Sequence, residues 1–313
     1  MLNPVRRGLA RGTLPFLGSA RWHGRCFSDG RGMASIYAKT GECSNPPPTA
    51  NPGDLYLETE WTSLPHPDKA GGGEDALLAL PGWVGVADGV GGWSRRGIDA
   101  GEYSRGLMNA AEENILGGAA SDHCPSALLQ KAWRAVEDKR IIGSSTALIA
   151  VLNGDGVLKA ANLGDSGFIY LRPTAATAAA GGGRRYFEVI HRSEEQCHGF
   201  NCPFQLGTGS SDSPAKASQW EQSVPHEGDC LILGTDGLWD NLWNGEVAEF
   251  ASRSHEPGSR PLSQELALAA LTRGYDPTYM SPFSTRAVAV GHKKECGGKL
   301  DDITVVVSWV ARA

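Results

Sequence analysis

The sequence predicts an α+β chain in which antiparallel sheets are covered by helices. Hairpin-linked runs of strand character point to the sheets. Two helical patterns standing side by side between strand segments point to paired covering helices. No internal repeat and no regular βαβ alternation occurs, which argues against a parallel sheet.

The elements follow in order. Residues 1–28 carry Arg6, Arg7, Arg11, Arg21 and Arg25, with no acidic residue before Asp29. This Arg-rich, acid-poor composition is that of an organellar presequence, and Arg25-Cys-Phe-Ser28 resembles a mitochondrial processing site with cleavage after Phe27. A mitochondrial matrix location is expected, with a plastid as the alternative. Residues 29–66 are rich in Gly, Pro, Ser and Asn around Pro46-Pro-Pro48. They are expected to be linker, mostly irregular, with one short strand near 35–38.

From Trp83 the pattern becomes periodic. Tyr103, Leu107, Ala111 and Ile115 recur every four residues and give one apolar face of a helix over about 100–116. Leu128, Leu129, Ala132 and Val136 do the same for a second helix, with Pro125 suited to its first turn. Runs at 146–152 and 157–163 read as strands joined by the hairpin turn Asn153-Gly-Asp-Gly156. Strands are expected at 167–172 and 185–191, separated by an Ala/Thr/Gly tract, 173–183, read as an exposed loop. Further strands fall at 231–235 and 303–309, and helices at 246–252 and 262–272.

The totals bound the function. The 313 residues suffice for one large or two small domains. Apolar residues make up 41% and charged residues 20%, as in an ordinary globular protein. A net charge of −6 argues against a general nucleic-acid binder. No stretch of eighteen apolar residues occurs, so no transmembrane segment is expected. The seven cysteines are scattered and odd in number, which fits a reducing compartment better than a disulfide framework.

Five carboxylate-bearing turns carry the chemistry: Gly-Glu-Asp at 73–75, Ala-Asp-Gly at 87–89, Gly-Asp-Ser at 164–166, Thr-Asp-Gly at 235–237 and Asp-Asp at 301–302. Four of them adjoin an apolar run of strand character. An aspartate at a strand end beside glycine sits where the backbone can bend closely around a ligand. One such turn means little, because Asp-Gly is a common hairpin dipeptide. Several that converge would supply oxygen ligands for hard divalent cations.

The order and context of these turns resemble the metal-dependent protein phosphatase 2C family, from about Gly72 to Val310. The resemblance rests on Gly-Val-Ala-Asp-Gly-Val-Gly-Gly-Trp at 85–93, Gly-Ser-Ser-Thr-Ala at 143–147 and Ala-Asn-Leu-Gly-Asp-Ser-Gly at 161–167. It continues in Gly-Thr-Asp-Gly-Leu-Trp-Asp-Asn at 234–241 and Asp-Asp-Ile-Thr-Val-Val-Val at 301–307. Cys202-Pro-Phe-Gln-Leu206 and the segment 275–283 are similar to the mitochondrial branch in particular. The resemblance implies a catalytic domain over 67–313, built as a four-layer α/β/β/α sandwich of two antiparallel sheets flanked by helices, with the metal site at one edge.

It also implies a protein serine/threonine phosphatase whose substrates are phosphorylated proteins, hydrolysed by water activated by two Mg²⁺ or Mn²⁺ ions, with a third ion position possible. Phosphate-ester hydrolysis is slow because an anionic ester repels nucleophiles, and a pair of divalent ions offsets that charge. By resemblance, Asp88 bridges both ions and Gly89 adds its carbonyl. Asp236 and Asp301 are the other direct ligands, Glu74 and Asp75 hold ion-bound water, and Asp165 belongs to the third position. Asp240, Asn241, Asp99 and Glu102 read as cap or first-turn residues, and Asp302 taken singly as a turn residue.

Two departures stand out. The family commonly has a histidine after its Asp-Gly as proton donor, where this chain has Val90. It also often has an arginine before the acidic pair as phosphate clamp, where Lys69 is the nearest cation here. Rival readings are a catalytically silent phosphoprotein-binding module and a phosphohydrolase of small esters. His191, Cys197, His198 and Cys202 match no common zinc spacing. Cys230 sits in an apolar strand and reads as a core residue rather than a nucleophile. No nucleophile elbow or phosphate-binding P-loop is present.

Overall fold

The long central strands send alternate side chains to opposite faces, and three separate cores result. The computed structural model describes residues 23–27, 36–43, 51, 53–69, 72–174, 185–256, 258–292 and 296–313. In chain order the strands begin with β1 (His23–Phe27), β2 (Ile36–Cys43), β3 (Leu55–Leu64), β4 (Asp75–Leu80) and β5 (Trp83–Asp88). Helices α1 (Ala100–Leu116) and α2 (Pro125–Asp138) follow, then β6 (Ser144–Ser145), β7 (Ala147–Leu152), β8 (Leu158–Leu163), β9 (Gly167–Pro173) and β10 (Phe187–Arg192). After these come the short strands β11 (Cys197–Gly199), β12 (Cys202–Pro203) and β13 (Leu206–Gly207), then β14 (Ser218–Gln222) and β15 (Cys230–Gly234). The chain closes with α3 (Asp236–Trp239), α4 (Asn244–Arg253), α5 (Leu262–Tyr275), α6 (Pro282–Ala289) and β16 (Ile303–Arg312).

Two antiparallel sheets hold the molecule together. One runs β1-β2-β3-β16-β15-β9-β10 and the other β14-β8-β7-β5-β4. In β15, Cys230 and Ile232 face the core under α4 and α5, while Leu231 and Leu233 face the opposite sheet. In β7, Ala147, Ile149 and Val151 face α1 and α2, while Leu148 and Ala150 face the inter-sheet core. Period-two alternation in strands buried on both faces therefore yields the layers helix, sheet, sheet, helix. This is the sandwich that the family resemblance implied.

Helices α1, α2, α4 and α5 form where the sequence pattern places them, whereas α3 and α6 carried no such expectation. Asp99 caps α1 by accepting from the Gly101 N–H at 2.9 Å, and Tyr103, Leu107 and Ala111 are fully buried. Pro125 opens α2 at a position where its missing N–H costs nothing.

The segment 29–66 departs from the linker expected of it, because it contributes two strands of the larger sheet. β3 pairs with β16 over its whole length and with β2 on the other side. Its sequence LYLETEWTSL mixes Thr and Glu with apolar residues. Thr59 is buried by bonding Ser308 Oγ at 2.9 Å, and the Glu60 carboxylate accepts from the Ser263 N–H at the start of α5 at 2.8 Å. Polar residues that look like linker are thus satisfied by distant partners. Of the segment expected to be a presequence, residues 1–22 and 28 lie outside the described residues, while 23–27 form the edge strand β1, paired with β2 alone. Most of the Ala/Thr/Gly tract also lies outside them.

Candidate metal centre

Strand ends from both sheets meet at one end of the sandwich and carry the acidic turns with them. β5 runs out at Asp88, and β4 begins opposite it, so that Asp75 and Asp88 are direct cross-strand partners. β15 ends at Gly234, one residue before Thr235-Asp236. β16 starts just after Asp301-Asp302, and the β8–β9 turn holds Asp165. Antiparallel pairing of β15 with both β9 and β16 sets these turns side by side, Gly234 lying opposite Gly167 on one strand and Val305 on the other.

Oxygens of Asp88, Asp165 and Asp236 lie within 4.8 Å of one another. Oδ1 of Asp75, Asp165 and Asp236 is buried and has no hydrogen-bond partner. Buried polar atoms are normally satisfied, so unsatisfied carboxylate oxygens gathered in one place need a cation. Burial is the main force raising the Asp88 and Asp165 carboxyls well above the usual carboxylate range, and the neighbouring Asp236 charge adds to it. Burial followed by the Asp302 charge does the same to Asp75. The Asp301 carboxyl is pushed up to about 6 by burial and then by Asp236, against the pull of Lys299. Mutual repulsion of this kind is relieved by a hard divalent ion, whose preferred ligands are such oxygens.

The backbone around the aspartates is fixed by close contacts. The Gly89 N–H donates to the Glu74 carbonyl at 3.1 Å, and a Cβ at Gly89 would stand 2.7 Å from the Ala100 carbonyl oxygen. A Cβ at Gly237 would stand 2.0 Å from the Asp302 carbonyl oxygen. Both positions need glycine for close approach, as the Asp-Gly spacing foretold. The Asp88 N–H donates to Thr146 Oγ1 at 3.0 Å, and Ser145 Oγ donates to the Asp88 carbonyl at 2.8 Å. Thr235 Oγ1 donates to Asp75 Oδ2 at 2.8 Å and accepts from the Thr304 N–H at 3.0 Å, tying the two sheets together at the site.

Asp302 acts as more than a turn residue. It is buried and accepts from the backbone N–H groups of His66 at 2.6 Å and Glu74 at 2.8 Å, and from Lys69 Nζ at 2.6 Å. Lys69 also pairs with the Glu74 carboxylate. Its ammonium is therefore engaged by two acids, and any phosphate would compete with both. Glu74 is held beside the site by this link, while its carbonyl accepts from the Gly89 N–H and from Ser104 Oγ.

Lys299, Arg286 and Asp240 join the site without having been picked out as site residues in the sequence. Lys299 Nζ meets Asp236, Asp240 at 2.7 Å and Asp301 at 3.1 Å. Asp240 also takes the Arg286 guanidinium, which bonds Glu195 at 2.9 Å on its other side. The position of Lys299 two residues before Asp301 was the available signal. Arg286, fifty residues beyond Asp236, offered none. Of the residues weighed for zinc, His198 bonds Asp212 at 2.8 Å and His191 stacks on Trp220. Among the described residues, Asp88, Asp165 and Asp236 form the one group of three His, Cys, Asp or Glu side chains placed to hold a metal ion. Cys230 is buried in the core, as expected.

Similarity to known proteins agrees with this geometry. The human protein phosphatase PTC7 homolog is 38% identical over 242 residues, covering 73% of this chain and 75% of that relative. The Arabidopsis thaliana protein named "Probable protein phosphatase 2C 55" is 42% identical over 263 residues, covering 82% of this chain and 52% of that relative. The chain spans about half the length of the first plant relatives it matches. The X-ray structure of the photosystem II phosphatase PBCP superposes with a TM-score of 0.71 at 31% identity, over 81% of this chain and 98% of that one. No family model matches the sequence. Relatives 38% identical over about three quarters of their length, together with the shared fold, establish that the chain belongs to the protein phosphatase 2C family.

Proposed function

We propose that this chain is a metal-dependent protein serine/threonine phosphatase that hydrolyses phosphoserine and phosphothreonine in mitochondrial proteins. The observation that carries the proposal is the convergence of Asp88, Asp165 and Asp236 with unsatisfied buried carboxylate oxygens. Asp88, Asp236 and Asp301 would hold two Mg²⁺ or Mn²⁺ ions together with the Gly89 carbonyl. Glu74 and Asp75 would act through bound water, and Asp165 at a further position. When bound, such ions lower the pKa of water and offset charge on the phosphoryl oxygens. The protein's own part is positional: Thr146 and Ser145 fix Asp88, Thr235 fixes Asp75, and Asp302 with Lys69 fixes Glu74.

A cavity of about 350 Å³ opens beside Asp165, between the β11–β12 ribbon and α6, with Phe200, Phe283 and Val290 in its wall. Space for a neighbouring side chain favours a polypeptide ester over a small metabolite. The matrix location is supported by the arginine-rich, acid-poor first 28 residues. The test is phosphate release by residues 29–313 and by the full chain, with Mn²⁺, from phosphothreonine peptides and from small phosphate esters. Peptide turnover is expected to dominate, and Asp236→Asn to lower Mn²⁺ affinity by at least about 10–100-fold, the loss typical even of outer partners. Turnover unaffected by Asp236→Asn would refute the assignment. Binding of phosphopeptides with no turnover of any ester would favour the silent module.

A further inference from the structure

The turn that follows Asp88 and Gly89 stands at the rim of the metal centre and carries two arginines that the centre itself does not use. Residues Gly91–Arg96 form a short 3-10 helix, Gly-Gly-Trp-Ser-Arg-Arg, with none of its residues buried. A Cβ at Gly91 would stand 3.2 Å from Glu74 Oε2, so the turn begins against the acidic pair at 74–75. It is tied down although it is exposed. Trp93 Nε1 donates to Ser144 Oγ at 2.7 Å, and Ser144 Oγ donates to Gln205 Oε1 at 2.6 Å. Ser94 Oγ donates to the Gly91 carbonyl at 2.7 Å. Gly97 closes the turn in the left-handed region at φ 70°, its N–H donating to the Ser94 carbonyl at 3.0 Å.

Arg95 and Arg96 are both exposed on this fixed base. The Arg96 guanidinium lies 5.2 Å from the centroid of the Trp93 ring, which restrains it without neutralising it. Asp99, the nearest acid in sequence, is already taken: it pairs with Arg105 at 2.6 Å and accepts from the Gly101 N–H. Among the described residues no carboxylate pairs with Arg95 or Arg96. Lys69, on the other side of Glu74, is engaged by two acids. The rim therefore offers two guanidinium groups free to meet an anion that arrives with the substrate.

Their reach fits a peptide. A 3-10 turn rises about 2 Å per residue, which puts Arg95 roughly 8 Å along the chain from Gly91. An extended peptide covers about 3.3 Å per residue, so a side chain two or three residues from a phosphothreonine seated at Asp88 and Gly89 spans a similar interval. We propose that Arg95 and Arg96 form a specificity subsite for an aspartate or glutamate two or three residues from the phosphorylated residue, so that the preferred substrates are acid-flanked phosphoprotein segments. The proposal rests on the phosphatase reading of the site and adds the substrate class. Arginine suits the role because its planar fork stays charged and matches a carboxylate.

The test compares kcat/KM of the full chain at saturating Mn²⁺ for phosphothreonine peptides identical except at the second and third residues on both sides, which are Glu, Ala or Lys. Wild type is expected to favour the Glu peptide over the Ala peptide by at least about threefold, mainly through KM, the size that partly exposed charge pairs allow. The preference should shrink as ionic strength rises. Arg95→Ala combined with Arg96→Ala should bring the ratio near one, and Arg95→Glu combined with Arg96→Glu should turn the preference towards the Lys peptide. A general loss of activity cancels in these ratios, so a merely structural role for the turn would leave them unchanged. A smaller wild-type ratio, or a preference for Glu that survives the charge reversal, would overturn the proposal. Should no phosphopeptide be turned over, the phosphatase reading fails instead, and the ratio of Kd values for the same peptides, by fluorescence anisotropy, still decides the role of the arginine pair.

Discussion

At the scale of single residues, the site is a set of carboxylates held close together against their mutual repulsion. A carboxyl whose folded pKa exceeds its unfolded value binds more protons when folded, so the metal-free fold gains stability as pH falls through that interval. For Asp301 the interval runs from about 6 down to the ordinary aspartate value near 4. Asp75, Asp88 and Asp165 shift in the same direction. Divalent ions invert the dependence, because they favour the ionised carboxylates that protons would neutralise. Thermal denaturation should therefore show the metal-free midpoint rising between pH 7 and pH 5.5, while the Mn²⁺-saturated midpoint falls; parallel curves would contradict the assignment. Lys69 yields a second expectation. Because its ammonium links Glu74 to Asp302, Lys69→Ala should weaken Mn²⁺ binding by about 10–100-fold and leave KM for a phosphopeptide at saturating Mn²⁺ little changed. A raised KM with unchanged metal affinity would assign the lysine to the substrate phosphate instead.

At the scale of elements, each proposed ligand lies at or beside a strand end. Trp61 in β3 is fully buried between the sheets and has no part in the metal cluster. Trp61→Ala should cost about 3–5 kcal/mol in urea unfolding while leaving the number of bound Mn²⁺ ions unchanged. Loss of ion binding at matched stability would show that β3 shapes the site directly. The same strand marks the limit of what the sequence discloses. Helices α1 and α2 and strands β7, β8, β15 and β16 were legible because their apolar period is local. β3 hides Thr and Glu in a buried strand, and the partners that satisfy them, Ser308 and Ser263, lie about two hundred residues or more away. Asp88, Asp165 and Asp236 were legible because an aspartate at a strand end beside a tight glycine turn is a local signature. Asp302 anchoring Glu74, and Arg286 reaching Asp240, were not legible, since only the folded chain brings them together.

At the scale of the whole molecule, two sheets stacked face to face bring turns separated by more than two hundred residues to one edge, where no single supersecondary unit could collect them. Layering thereby turns five weak local signals into one site. Helices α1, α2, α4 and α5 carry none of the proposed ligands, yet they bury the strands beneath them, with α1 meeting the site through Ser104 and Ala100. Val90 occupies the place of the family's usual proton donor and is engaged through its N–H with the Ser144 carbonyl at 2.9 Å. On the proposed metal-dependent reading, removing the ions should abolish turnover. The most direct test is phosphate release from a phosphothreonine peptide by the chelator-treated protein, before and after Mn²⁺ is restored, alongside Asp88→Asn. The account predicts no turnover after chelation, recovery on adding Mn²⁺ to wild type, and no recovery for Asp88→Asn. Turnover that survives chelation, or that returns in Asp88→Asn at the same Mn²⁺ concentration, would contradict it.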